Sequence, residues 1–223
     1  MKRTVQFLML LLLLVACGAG RGPEKCRTDK ALLEDNFNDT ACGWDEYEEE
    51  RATAGYVASE YFVAVHQPNA TAIAVPGAKF DDVSIQAQAR LISGSINNNF
   101  GILCRYQDMD HFYAFLVSSD GYYAIVRVVG GTSYEILSGD GQHLLPSDAI
   151  LKELNATNEI RAVCAGDLLT LYVNGKQLAS VSDTQLVSGD VGFIVSSYQE
   201  GPTEVRFDNL LVLEPAAPLP LSE

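Results

Sequence analysis

The sequence predicts an all-β chain folded as a two-sheet antiparallel sandwich, and three observations carry that expectation. From Leu32 to Leu213 apolar residues recur mostly at period two, and no stretch of a dozen residues keeps a helical period. Asn174-Gly175 in "YVNGKQL", Asp120-Gly121 in "SSDGYY" and Gly130-Gly131 in "VVGGTSY" stand between alternating runs, where hairpin turns need residues that tolerate positive φ. About a dozen strands in one domain must close on themselves or stack as two sheets to hide their edges.

In chain order, alternation places strands at 33–38, 53–58, 60–66, 71–75, 81–93, 99–107, 111–119, 122–129, 132–138, 157–165, 168–174, 176–182, 190–197 and 203–213. The one long break, "GDGQHLLPSDAILKELNATN", has a helical turn expected in "SDAILKEL". On the 81–93 strand Val83, Ile85, Ala87, Ala89 and Leu91 face one way, and Ser84, Gln86, Gln88 and Arg90 the other. That second row is polar with one charge, which suits a concave surface where amides and a guanidinium meet sugar hydroxyls; a solvated outer face is the alternative. On 111–119 both parities are apolar, so the strand is central and covered on both sides, and Tyr113 and Phe115 belong to the core.

A chain of 223 residues with 48% hydrophobic content can bury one sizeable core and form one domain. Its formal charge of −14 opposes phosphate backbones and anionic lipid heads, which argues against nucleic acid and against electrostatic membrane binding.

Lys2 and Arg3 followed by the apolar run "FLMLLLLLVA" form a leader too short to span a bilayer comfortably, so the chain is exported. The run ends in "LVAC", residues 14–17, which resembles the lipobox of bacterial lipoproteins. That resemblance implies a signal peptide over 1–16, an acylated Cys17 and a protein facing the periplasm or the cell surface; an ordinary signal peptide cut near Ala19 is the alternative. Residues 17–30 then read as a flexible tether, 31–214 as the domain and the Pro-rich 215–223 as a dangling tail. Cys26, Cys42, Cys104 and Cys164 make an even set in an exported chain, which allows three disulfide connectivities. Spacing favours Cys104 with Cys164, both in strand-like sequence, and Cys26 with Cys42, which flank the first strand. Loop closure gives about 4 kcal/mol for the long link and about 3 for the short one.

"DNFND...GW", "FGILCRYQDMDHFYAFLVSSDGYYAIVRV", "NEIRAVCAGDLLTLYVNGKQLASV", "GDVGFIV" and "VRFDNLLV" together resemble the concanavalin A-like jelly rolls of the laminin-G-like and DUF1080 type, over roughly residues 31–214. The resemblance implies a jelly roll of lectin and glucanase architecture, a fold that hosts lectins, hydrolases and adhesion modules alike.

Five side chains are candidates for the ligand face: Gln88, Arg90, Arg105, Gln107 and Arg127, with a bulge able to reverse the parity of any one. Glu46, Glu48 and Glu50 in "EYEEE" approach the E-x-D-x-E strand of family 16 glycosidases, but Glu replaces the middle Asp and the run reads as a solvated loop. His66, His111 and His143 have no Ser or Cys partner at a recognisable spacing. Asp108 and Asp110 read as a turn. No cofactor is expected beyond a structural calcium held by Asp208 with backbone oxygens near Asp35 or Asn36, for which a plain hydrogen-bonded Asp is the alternative. Sequons at Asn38, Asn69 and Asn155 would matter only in a eukaryotic secretory pathway. The expectation is a monomeric lipoprotein whose membrane contact is its lipid anchor and whose concave sheet binds a glycan or another cell-surface ligand without chemistry. A glycoside-acting hydrolase of the same fold, family 16-like or, as the DUF1080 resemblance implies, 3-keto-glycoside hydrolase-like with no residue set matched to that chemistry, and a structural adhesion module are the alternatives.

Overall fold

Two kinds of strand stand at the centres of the two sheets, alternating ones in the first and largely buried ones in the second. The computed structural model describes residues 22–131, 134–198 and 202–216. The leader, Cys17 and residues 217–223 of the expected tail lie outside the described residues. The strands are β1 (Leu33–Asp35), β2 (Tyr47–Glu48), β3 (Ala52–Val57), β4 (Glu60–Val65), β5 (Ala70–Ala74), β6 (Lys79–Phe80), β7 (Val83–Ser93), β8 (Asn99–Asp108) and β9 (His111–Ser118). They continue with β10 (Tyr122–Val129), β11 (Glu135–Ile136), β12 (Leu145–Pro146), β13 (Asn158–Ala165), β14 (Leu168–Val173), β15 (Lys176–Ser182), β16 (Gly189–Ser197) and β17 (Thr203–Leu213).

The first sheet has nine strands in the order β15-β14-β13-β7-β17-β4-β3-β2, with β1 also paired to β17. The second has eight in the order β11-β10-β9-β8-β16-β5, with β12 on β10 and β6 on β16. All pairs are antiparallel. In the first sheet β7 and β13 alternate buried and half-buried residues along their whole length, the mark of one packed face and one wet face. In the second, β8, β9 and β16 are buried at nearly every position, as the unbroken apolar sequence of 111–119 implied.

The inner faces meet in one core. At its centre Phe193 of β16 stacks on Phe207 of β17 at 4.0 Å and on Trp44 at 4.6 Å. The Trp44 indole N–H donates to Asp35 Oδ2 at 3.1 Å, so the buried ring keeps its polar atom satisfied. Cys104 of β8 bonds to Cys164 of β13, which ties one sheet to the other, and Cys26 bonds to Cys42.

Three expectations need correction. From Gly22 the supposed tether is docked: Pro23–Cys26 forms a 3-10 turn, Gly22 N–H donates to Ala41 O, and the disulfide staples the turn down. No helical turn forms over 147–154, because the Asn158 side chain pairs with both the N–H and the carbonyl of Leu151 and holds that stretch open. The 132–138 strand is reduced to Glu135–Ile136, with residues 132 and 133 outside the described set.

Candidate functional site

The outer face of the second sheet is laid out in rows by strand register. Ile73, Ile194, Gly101, Leu116 and Ala124 face one another across five strands, and Gly192, Leu103, Ala114, Val126 and Ile136 form the next row. These apolar rows form a second buried cluster, separate from the core, with Val75, Tyr106, Ile136 and Leu144 packed against it. Among the described residues of these strands, polar side chains stand at the two ends. Thr71, Ser196, Asn99 and Ser118 make the row at one end; Asp190 and Tyr106, partners across β16 and β8, stand at the other.

A cavity of about 420 Å³ opens at the Asp190 end, lined by Gly77, Ala78, Lys79, Tyr106, Gln107, Gly189 and Asp190. Asp190 is fixed there because its Oδ1 accepts the N–H of Ala78 at 2.9 Å and that of Val191 at 2.8 Å. Burial pushes its carboxyl up to about 7, against the pull of those hydrogen bonds, and the nearby Asp45 carboxylate adds to the rise. Asp45 is anchored in turn by the Val75 N–H, 3.1 Å from its Oδ2. Burial first, then Asp108, Asp45 and Asp190, also raise the Tyr106 phenol, so it stays protonated at neutral pH. The cavity thus offers an amide, an ammonium, a phenol and a carboxyl that changes charge near neutrality.

The candidates from sequence do not form one set. Gln88 and Arg90 lie on the other sheet, on β7, whereas Arg105, Gln107 and Arg127 belong to the second sheet. Arg90 is committed to Glu60 through two hydrogen bonds of 2.9 and 2.6 Å, and Gln88 accepts from Asn209 Nδ2 at 3.3 Å. Arg105 is corrected outright, being 2% exposed. It sits in a bulge with φ of 52°, which turns it inward like Cys104 before it. Its guanidinium donates to the carbonyls of Asp81, Leu186 and Gly166 and to Asp82 Oδ1, all within 3.2 Å. A Cβ on Gly189 would stand 2.4 Å from the Arg105 carbonyl carbon, so this close approach of β16 requires glycine. Arg127 closes an end of the sandwich through Asp183 and, at 2.5 Å, Glu135, and Tyr113 donates to the same Asp183. Only Gln107 lines the cavity, with its amide 3.0 Å from Ser188 O.

Other sequence signals fall to structural work. Glu46, Glu48 and Glu50 are exposed around the edge strand β2, away from the cavity lining. His66 pairs with Thr53, His111 with Asp108 and His143 with Asp140. Asp208 accepts from its neighbour Asn209 with both oxygens, at 2.7 and 3.0 Å, and Asp35 accepts from Phe37 N–H and the Trp44 indole. Both carboxyls are therefore tied by hydrogen bonds to residues one, two and nine positions along the chain. The sulfurs of Cys26 and Cys42 beside Asp35 are joined to each other and offer no thiolate to a metal.

Residues 33–213 match the 3-keto-alpha-glucoside-1,2-lyase-like domain. No curated protein matches the sequence. Among solved structures, the carbohydrate-binding module CBM66 from Bacillus subtilis superposes with a TM-score of 0.62 at 12% identity, covering 77% of this chain and 96% of its own. A Bacillus subtilis protein of unknown function with a galectin-like fold gives 0.59 at 10% identity, covering 84% and 97%. A putative glycosyl hydrolase from Parabacteroides distasonis gives 0.52 at 11%, covering 81% and 98%. At such identities the likeness is one of fold, and it is the concanavalin A-like jelly roll that the motifs implied.

Proposed function

We propose that this chain, which belongs to the 3-keto-alpha-glucoside-1,2-lyase-like domain family, is an exported, envelope-tethered domain that binds a saccharide at the Asp190 end of its second sheet, without chemistry. The observation that carries this reading is the 420 Å³ cavity, where Gln107, Lys79 and Asp190 surround the half-buried ring of Tyr106. Sugars need that combination of hydrogen-bonding groups and an aromatic wall. The two disulfides support export, and acylation of Cys17 supplies the tether. The test is a glycan array probed with the full-length chain, with Asp190→Asn and Tyr106→Ala as controls. Binding that both variants weaken is expected, and a wild-type chain that retains no saccharide would end the reading. Mass analysis of the Cys17 peptide decides the anchor.

One observation favours a second reading, a lyase acting at the same place. A half-buried carboxyl that ionises at about 7 is suited to take the acidic C2 proton beside the 3-ketone while the C1–C2 double bond forms and the glycosidic C1–O bond breaks, the departing oxygen taking up a proton from water. Ultraviolet absorbance from the new double bond, present with wild type and lost in Asp190→Asn while binding persists, would replace the non-catalytic reading with this one.

A further inference from the structure

We propose that Asn99, Ser196 and Thr71, together with the rings of Tyr134 and Tyr198, form a second subsite that takes an uncharged, hydroxyl-rich sugar unit at the opposite end of the second sheet. The inference rests on the carbohydrate reading above and extends it to a ligand longer than one unit.

Register brings the three polar side chains together, since Ser196 of β16 faces Thr71 of β5 on one side and Asn99 of β8 on the other. Thr71 Oγ1 lies 2.9 Å from Ser196 Oγ and 3.1 Å from the Tyr134 hydroxyl. Asn99 Nδ2 donates to the Tyr198 hydroxyl at 2.9 Å. The other end of that amide, Oδ1, is buried and has no partner among the described residues, although Asn99 is only 3% exposed. Turning the amide over would strand its nitrogen instead, so either orientation leaves one hydrogen-bonding atom unused. Proteins rarely keep such an atom without a ligand or a water to satisfy it. A sugar hydroxyl can act as donor or acceptor and would meet either case.

The rings complete the chemistry. Tyr134 is 42% exposed and Tyr198 47%, which leaves aromatic surface open beside the polar row. Burial raises the Tyr198 phenol, so it stays protonated and can donate outward while the Asn99 amide occupies it as an acceptor. Its position is set beforehand, because Tyr198 N–H donates to Asn98 Oδ1 at 2.9 Å and Asn98 Nδ2 donates to Thr203 Oγ1 at 2.6 Å. None of the five side chains carries a charge at neutral pH, so nothing in the set rewards an anionic or cationic ligand. An aromatic line joins this end to the first cavity: Tyr134 packs on Phe112 at 6.2 Å, and Phe112 on Tyr106 at 6.1 Å. Six positions of β16 separate Ser196 from Asp190, about 20 Å of strand, which a single sugar ring cannot span.

Calorimetric titration of the full-length chain with α- and β-linked neutral gluco-oligosaccharides of two and six units tests the inference. The six-unit probe should bind at least about ten-fold more tightly than the two-unit probe. Tyr198→Phe, which keeps the ring, and Asn99→Leu, which keeps the size, should each remove that advantage and leave two-unit affinity unchanged. Unaltered six-unit affinity in folded Tyr198→Phe would overturn the subsite and leave the Asp190 reading standing, as would a bound water on Asn99 that persists with the long probe present. If wild type binds neither probe while binding another glycan on the array, the subsite's ligand class is wrong. Binding to nothing defeats both readings.

Discussion

The two outer faces of this sandwich solve opposite problems. On the first sheet, β7, β13 and β17 turn polar residues outward, and these satisfy one another. Glu60 takes both Arg90 and Arg206, Gln86 pairs with Glu159, and the Arg161 guanidinium lies 3.8 Å over the Tyr172 ring. On the second sheet the outer face is aliphatic at its centre, and among the described residues polar atoms gather at the strand ends, where the Asn99 amide oxygen, like that of Asn97 in the preceding turn, has no partner and one carboxyl is forced up to about 7. A charged face can be chemically finished, whereas a largely apolar one holds its unsatisfied groups at its margins. Those margins are where a ligand has something to gain.

The largest test of that contrast is Arg105→Met. The sequence offers Arg105 as a ligand contact, and the structure makes it the tie between the bulge in β8, the β6–β7 turn, the β13–β14 turn and the loop at Leu186. Removing the guanidinium leaves three carbonyls and Asp82 to find other donors, which should destabilise the fold by about 4 kcal/mol in urea unfolding. Saccharide affinity of the fraction still folded should not change. A stability loss under about 1 kcal/mol, or a specific loss of affinity, would return Arg105 to the ligand face.

Arg105 also shows where sequence reading reaches its limit. Period two gave the faces of β7 and the double burial of β9 directly, and the spacing of the cysteines gave both links. A bulge is a matter of φ at one residue, and nothing in "LCRYQD" marks Arg105 as the position at 52°. Parity also cannot say whether a polar row is idle or already bound to its neighbours, so Gln88 and Arg90 look like ligand contacts until Glu60 and Asn209 are placed beside them. Asn99 and Tyr198 were legible only as strand ends, since 99 positions separate them and topology alone joins them. Asp190 sits in "SGDVGF", which reads as turn and core; its significance comes from burial, which has no local signature.

Asp190→Asn gives an effect of the next size, and one that depends on pH. The unfolded carboxyl ionises near 3.8 and the folded one at about 7. Between those values the unfolded chain has released a proton that the folded chain keeps, so stability falls as pH rises through the interval and the contribution is gone above it. Asp35, raised to about 6 chiefly by burial, acts in the same direction over a narrower range. Asparagine can still accept from Ala78 and Val191, so the variant should gain on wild type by on the order of 3 kcal/mol between pH 4 and pH 8. Parallel stability profiles for the two proteins would mean that Asp190 is more open than its surroundings indicate.

Glu60 should titrate in the opposite sense, which sharpens the comparison with the smallest effect of the three. Burial pushes its carboxyl up, but hydrogen bonds from Arg90 and Arg206 outweigh that and hold it below its ordinary value of 4.5. A depressed pKa means stability that is present at neutral pH and lost as pH falls through the folded value. The pair is half-open to water, so Arg90→Gln should cost under about 1 kcal/mol at pH 7 and less still in 1 M salt. Saccharide binding should be untouched, because Arg90 is held on Glu60 through Nε and Nη2 and lies on the other sheet from the cavity. If Arg90→Gln weakened binding while stability held, the charged face would be the ligand face after all, and the apolar one only a second core.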